Sequence, residues 1–574
     1  MTRRVDVATL RSWLCDGQEI SLLDAREEGV FFNSHLFHAS CVPLSRLELM
    51  LASLVPRRDT RLVWCDDGSG ADGGLAEQAA ARATAFGWSN TFFVDGGTRA
   101  WAAAGGELYA GVNVPSKAFG EYVEQTYNTP HISAPDLAQR LAAGDSVVVL
   151  DSRPFNEFRR MSIPTGIDCP GAELVHRVKE VAPDPATTVV VNCAGRTRSI
   201  IGAQSLINAG LPNPVMALEN GTMGWHLAGL GVASGVESVV GDPSPEGAAW
   251  AIAAAAAVRD RFGVTTIDEA TLAAWQRDPL RTTYVLDVRS PDEFAAGHRP
   301  GSRHAPGGQL VQATDEYVGV RNSRLVLVDD NNVRATMTAS WLRQLGWDDA
   351  VVLRDGLQGE LEATQAVEHA LGANSGLGKS DAAVMSVGDL EVIVGHPGVV
   401  VVDLATSLDH RRRGHIAGAW WAIRSRLSSG AQLIEATVGS VATVVLTSED
   451  GRLARLAVPE ATAAWPTSAV SVLDGGTAAW RTADQPIEFG IPRPTTTIDD
   501  VWYKPYDHDD GVPEKHMRAY LTWEVALVEQ LARDPMIAFR TEAECQSRAS
   551  LTAAVAEPGV GQRARTETAG PTIG

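Results

Sequence analysis

Short apolar runs recur along the chain and stop at an acidic or polar residue. One set is ISLLD ending at Asp24, VVVLD at Asp151, YVLD at Asp287 and VVVD at Asp403. A second set follows: RLVWC before Asp66, TVVVN before Cys193, RLVLV before Asp329 and ATVVLT before Ser448. Each second run leads into a helical stretch, a short apolar run and a turn: VDGGTRAW, LENGTMGW, LRDGLQGE and LDGGTAAW. Runs this short and uniformly apolar predict strands buried on both faces, not strands with one wet side. Alternating with helical stretches, they predict an α/β fold: four tandem units, each an open, mostly parallel sheet with helices on both faces. The expected units are 5–110, 130–235, 265–370 and 385–490. Segment 236–264 is expected to be a helical linker, because Pro245 starts the run AWAIAAAAAV, which is too short to cross a bilayer. Residues 491–574 form a C-terminal extension, helical at LTWEVALVEQLARD and expected to be disordered at GQRARTETAGPTIG.

The length of 574 residues fits several domains, not one core. The net charge of -21 sets the surface against nucleic acid and anionic membranes, so neither is an expected partner. A small anionic substrate is still compatible, since a few local arginines and N–H groups outweigh a distant field. The start MTRRVDVATLRSWL lacks an apolar signal core, and a cytoplasmic location is expected. The six cysteines, Cys15, Cys41, Cys65, Cys169, Cys193 and Cys545, form no CxxC pair and are too sparse for a disulfide scaffold.

One segment carries chemistry. After the strand ending at Asn192 come Cys193, Ala194, Gly195, Arg196, Thr197, Arg198 and Ser199, and the helical IIGAQSLINAG follows directly. A strand end in an open α/β sheet is where such folds bind ligands. Free cysteine titrates near about 8.5, and a helix N-terminus or a nearby cation lowers that value. Successive N–H groups of a tight turn form a nest for an anion. Gly195 permits the bend, Arg196 and Arg198 offer planar donor forks, and Ser199 is a candidate helix cap. The same set suits a persulfide on Cys193 and covalent catalysis in two half-reactions.

This loop resembles the active loop of the rhodanese sulfurtransferase family, which has Cys, four residues and Arg, here Cys193 to Arg198. VVVLDSRPFNEF and LENGTMGW are similar to the family's opening and closing blocks, with Glu219 and Asn220 where Asp and Gly are usual. The third unit matches the opening block more closely, through Asp287, Arg289, Glu293, Phe294, Gly297, His298, Pro300 and Gly301. The resemblance covers about 5–490. It implies a catalytic cysteine at Cys193 alone, since Asp66, Asp329 and Ser448 stand at the matching points. Cys65 reads as the last core residue of its strand. Ser162 stands near the place where many members have a histidine, so no histidine base is expected.

The resemblance implies thiosulfate sulfurtransferase activity. A donor such as thiosulfate gives its outer sulfur to Cys193, Arg196 or Arg198 holds the sulfonate, and a thiol or cyanide accepts the sulfur. Two alternatives stay open: mercaptopyruvate as donor, and a sulfur-relay or scaffold protein with little turnover. A phosphatase loop carries one residue more between Cys and Arg, which disfavours phosphate. Ala194 to Ser199 are the expected substrate-binding residues. Asp151 and Arg153 are expected to form a buried pair fixing the segment with Glu157 and Phe158. Glu157 is a candidate brace for a loop arginine, and Trp225 is expected to pack beneath the sheet end. His176 is expected at the surface, and His298 is expected to be structural. His410 and His415, like His508 among Asp507, Asp509 and Asp510, are weak metal patterns, so no metal and no cofactor are expected. Trp502, Tyr503 and Tyr506 are candidate anchors on another unit. The oligomeric state is not readable from the sequence.

Overall fold

The computed structural model describes residues 2–70, 74–364 and 383–548. The end of the third expected unit (365–370) and the terminus expected to be disordered lie outside the described residues. Four five-stranded sheets share one topology. In the second unit the spatial order is His131–Ile132, Val215–Leu218, Thr188–Asn192, Val147–Asp151 and Ile167–Asp168, with every neighbour parallel. The first, third and fourth sheets repeat that order, again wholly parallel. In the central strand Thr188–Asn192 every residue is buried, as two-sided coverage by helices requires.

The register confirms the repeat residue by residue. Asp24 pairs with Cys65, Asp151 with Asn192, Asp287 with Val328 and Asp403 with Thr447. The next residues, Asp66, Cys193, Asp329 and Ser448, therefore occupy equivalent places at the mouth of each central strand. The closing turns return to those places. Thr98 donates its N–H to the Asp66 carbonyl at 2.8 Å, Thr222 to that of Cys193 at 2.8 Å and Thr477 to that of Ser448 at 2.9 Å.

Each first strand ends in a buried ionic clasp. Asp24–Arg26, Asp151–Arg153 and Asp287–Arg289 are forked pairs, with Arg153 Nε and Nη2 donating to the two Asp151 oxygens at 2.8 and 2.7 Å. Arg153 also donates to the Met161 carbonyl, which pins the segment carrying Glu157 and Phe158, as expected. The fourth unit has no arginine there, and His410 takes its place, with Nδ1 2.8 Å from Asp403 Oδ2. His410 stacks on His415, and among the described residues no side-chain group suited to a metal occurs. Trp225 packs in a core with Ile132, Leu137, Ile163, Val190 and Leu218, as expected.

The helix Pro245–Arg261 is a wedge as well as a linker. Ser244 caps its start, accepting from Gly247 N–H at 3.2 Å. It buries Ala251, Ala254, Ala255 and Val258 between the helices Glu173–Arg177 and Val333–Gln344 of the second and third units. Those two units also meet glycine to glycine: a Cβ on Gly171 would stand 3.3 Å from Gly308 Cα. Arg334 of the third unit, fully buried, binds Glu173 of the second at 2.9 Å, and Glu293 and Asp330 of its own unit. His176, expected at the surface, is instead 5% exposed, because this interface closes over it. Its Nδ1 lies 3.4 Å from Glu173 and its Nε2 3.0 Å from Asn331.

Arg334→Met strands these carboxylates. We expect a loss of about 3–5 kcal/mol in unfolding free energy, read as a lower denaturant midpoint.

Candidate active site

The Cys193 loop is built from its strand outward. Asn192 donates Nδ2 to Asp151 at 2.8 Å and to Thr222 at 3.0 Å, which ties the strand end to the ionic clasp and to the closing turn. Thr222 Oγ1 in turn donates to the Cys193 carbonyl, and Met223 N–H to that of Ala194. Gly221 has φ +55, and a Cβ there would stand 2.4 Å from the Cys193 carbonyl oxygen, so no other residue fits. Asn220 precedes it at φ 59, where the first and fourth units have Gly96 and Gly475. Asparagine tolerates this left-handed region, which explains the departure from the usual glycine.

Cys193 is 2% exposed, and its Sγ lies 3.5 Å from Ser199 Oγ. Ser199 is not the helix cap. The helix is Thr197–Asn208, Arg196 is at the N-cap position without a side-chain cap, and Ser199 Oγ donates to the Arg196 carbonyl at 2.7 Å. Ser199 is therefore already inside the first turn.

The two arginines diverge. Arg198 donates to Glu157 Oε2 at 2.8 Å and to Gln309 Oε1 of the third unit at 3.2 Å. Burial works against its charge, but Glu157 and Cys193 more than offset this and hold its pKa above the ordinary guanidinium value. Burial likewise opposes the Glu157 carboxylate, while Arg198 and Lys504 hold it well below the usual carboxylate range. Glu157 is thus the brace expected, with Arg198 as its partner. Arg196 is held by Glu121 (2.7 Å) and Glu124 of the helix Val114–Tyr127, with Asn220 Oδ1 at 3.4 Å.

Ala194, Arg198 and Met223 open onto a cavity of about 1300 Å³ between the second unit, the third unit and the C-terminal extension. Lys117, Lys504, Tyr506 and Tyr520 also line it. The helix Pro513–Leu531 packs on Val114–Tyr127, which in turn packs on Thr197–Asn208. Gly120 permits that second contact, since its Cβ would stand 2.8 Å from Thr197 Cγ2. Glu524 is fully buried under the loop. Its Oε1 accepts from Tyr520 at 3.0 Å and Thr197 at 3.3 Å and lies 3.4 Å from Lys117 Nζ. Of the expected residues, Ala194, Arg198 and Glu157 line the cavity, Cys193 is buried beside Ser199, Thr197 meets Glu524, and Arg196 is turned to Glu121 and Glu124. Sequence reasoning missed Lys117, Lys504, Tyr520, Glu524 and Gln309. One signal existed: Glu524 sits in the apolar stripe Met517, Leu521, Leu527 of an amphipathic helix.

The expected aromatic anchors do cover other units. Trp502 stacks on Phe32, Tyr503 donates to Ser407 at 3.0 Å, and the Arg160 guanidinium lies over Tyr506. Asp507, although in a run of charged residues, is 3% exposed and takes Arg160 and Arg412.

The other units show what replaces a cysteine. Asp66 accepts from the N–H groups of Gly68 (2.8 Å) and Ala76 (3.0 Å), and Asp329 from those of Asn332 (2.8 Å) and Ala335 (3.2 Å). The carboxylate fills its own nest. Cys65 is fully buried, and burial together with Asp24 pushes its thiol well up, so it is a core residue.

The fold and site define a protein of four α/β units, with Cys193 at the mouth of the second unit's central strand. Residues 6–104, 133–228 and 269–362 match the rhodanese-like domain, and the chain belongs to that family. The crystal structure of a thiosulfate sulfurtransferase from Pseudomonas aeruginosa is 45% identical, covers 94% of this chain and 99% of its own, and superposes with a TM-score of 0.88. Two curated relatives match shorter segments. The HTH-type transcriptional regulator Rv0324 of Mycobacterium tuberculosis is 32% identical over 111 residues, which is 19% of this chain. Protein YqhL of Bacillus subtilis, uncharacterized, is 35% identical over 83 residues, 14% of this chain. The chain spans 48% and 64% of those two proteins. No helix among the described residues is long and apolar enough to cross a membrane.

Asp168, on the cavity wall, is held at about 8 by burial and then by the Asp151 charge. The folded state keeps a proton that the unfolded state releases near its ordinary value of 3.8, so stability falls as pH rises from there through about 8. Asp168→Asn should flatten that slope, raising Tm at pH 8.5 and leaving it nearly unchanged at pH 4; equal shifts at both pH values would refute this origin.

Proposed function

We propose that this chain is a thiosulfate sulfurtransferase working through a Cys193 persulfide, with Ala194 to Ser199 forming the donor loop. The observation that carries the reading is a buried cysteine four residues before Arg198, on a loop opening to a cavity lined by that arginine. The relationship to the Pseudomonas aeruginosa enzyme along nearly its full length supports it.

The Cys193 thiolate attacks the outer sulfur of thiosulfate. A new S–S bond forms, the donor's S–S bond breaks, and sulfite leaves with the electron pair. The persulfide sits among the loop N–H groups beside Arg198, and a thiol, or cyanide in an assay, takes its outer sulfur. Arg198 does the electrostatic work, since Arg196 is engaged by Glu121 and Glu124. Asp151, Arg153 and Trp225 support the loop from behind. Cys193 is the single nucleophile, because carboxylates and a hydroxyl at the other mouths hold no transferable sulfur. The catalytic unit is 130–235, and the units 5–110, 265–370 and 385–490 are inactive walls and supports. The six cysteines are free, in keeping with a reducing cytoplasm.

Incubation with thiosulfate should add about 32 Da, one sulfur atom, to the wild type and nothing to Cys193→Ser. Arg198→Ala should cost about 10²–10³ in kcat/KM for sulfite release, and Arg196→Ala clearly less. Phosphate-ester turnover without sulfite release would sink the reading.

A further inference from the structure

Two ammonium groups at the mouth of the Cys193 loop come from outside every rhodanese-like match. Lys117 lies on Val114–Tyr127, between the matched segments 6–104 and 133–228, and Lys504 lies in the C-terminal extension. Both line the cavity with Ala194 and Arg198. Lys117 is a wall residue, its side chain 10% exposed and 3.4 Å from Glu524. Lys504 is on the rim, its side chain 43% exposed and 3.2 Å from Glu157. Glu157 already takes Arg198 on its other oxygen.

We infer that Lys117 and Lys504 are donor-binding residues, which together with Arg198 select a sulfur donor carrying two negative charges beside the sulfur it gives up. The inference rests on the sulfurtransfer reading and deepens it. At the loop, three cations (Arg198, Lys117, Lys504) face two carboxylates (Glu157, Glu524), an excess of one positive charge. Arg196, Glu121 and Glu124 bind one another and do not line the cavity, so they stand outside this count. Burial holds Asp168 on the cavity wall at about 8, so it is largely protonated near neutrality and subtracts little. Ammonium groups rotate freely and serve as point charges, which suits a sulfonate whose three oxygens bind in no fixed register. They meet the donor before and during transfer alike, so their contribution is to binding and not to the chemical step.

The extension therefore completes the donor site. Trp502 stacks on Phe32 of the first unit and on Tyr520, fixing the segment that carries Lys504. Tyr520 also donates to Glu524, which pairs with Lys117. Lys117 and Lys504 are thus held by one connected set of contacts.

The test compares dianionic thiosulfate with monoanionic benzenethiosulfonate on the full chain, reading sulfite or benzenesulfinate release. Lys504→Gln and Lys117→Gln should each raise KM for thiosulfate about tenfold and KM for benzenethiosulfonate no more than about threefold, with kcat changed less than about twofold. Lys504→Arg should restore most of the thiosulfate KM. Because Lys117→Gln leaves Glu524 without its cation and risks misfolding, Lys504→Gln at the rim carries the decision if that variant is insoluble. Unchanged KM for thiosulfate, or equal losses for both donors, overturns the lysine assignment while Cys193-dependent turnover stands. A wild type that takes sulfur from neither donor refutes the sulfurtransfer reading itself.

Discussion

The whole arrangement depends on keeping one guanidinium charged and still inside a poorly solvated loop. Arg198 cannot be left alone there, since an unpaired buried charge costs several kcal/mol. Glu157 supplies the countercharge from the segment that follows the Asp151–Arg153 clasp. That clasp is tied to the strand leading to Cys193 through Asn192. Strand end, arginine and carboxylate therefore move as one body, and the third unit adds Gln309 from across the interface.

The second and third units form a reciprocal pair. Arg334 stands five positions after Asp329, as Arg198 does after Cys193, and it binds Glu293 as Arg198 binds Glu157. Each arginine also reaches over the interface, Arg198 to Gln309 and Arg334 to Glu173. The third unit thus carries the same arginine–glutamate arrangement with Asp329 in the cysteine's place, and there the arrangement joins it to its neighbour.

Much of this was legible in the sequence. Uniformly apolar five-residue runs report two-sided burial directly, so the sheets, their number and the position of Cys193 could be read without coordinates. The Asp–x–Arg spacing announced the clasps, and Glu157, next to Phe158 in the block after the clasp, was readable as a candidate brace for a loop arginine. Contacts between distant segments were not legible. His176 is surface-like by composition but is covered by the third unit, and Asp507 sits in a charged run yet is claimed by Arg160 and Arg412. Lys117 and Lys504 are ordinary lysines until the extension folds back over the second unit. Glu524 was the exception, an acid at core spacing on an amphipathic helix, which only a buried cation or donor makes tolerable.

The aspartates at the mouths of the first and third central strands have a further consequence. Asp66 and Asp329 supply from within what a thiol, a poor acceptor, cannot supply at Cys193: a pair of carboxyl oxygens for the turn's N–H groups. The loop at Cys193 brings no such oxygen pair, so of these three strand mouths the second alone lacks an internal carboxylate to close its turn.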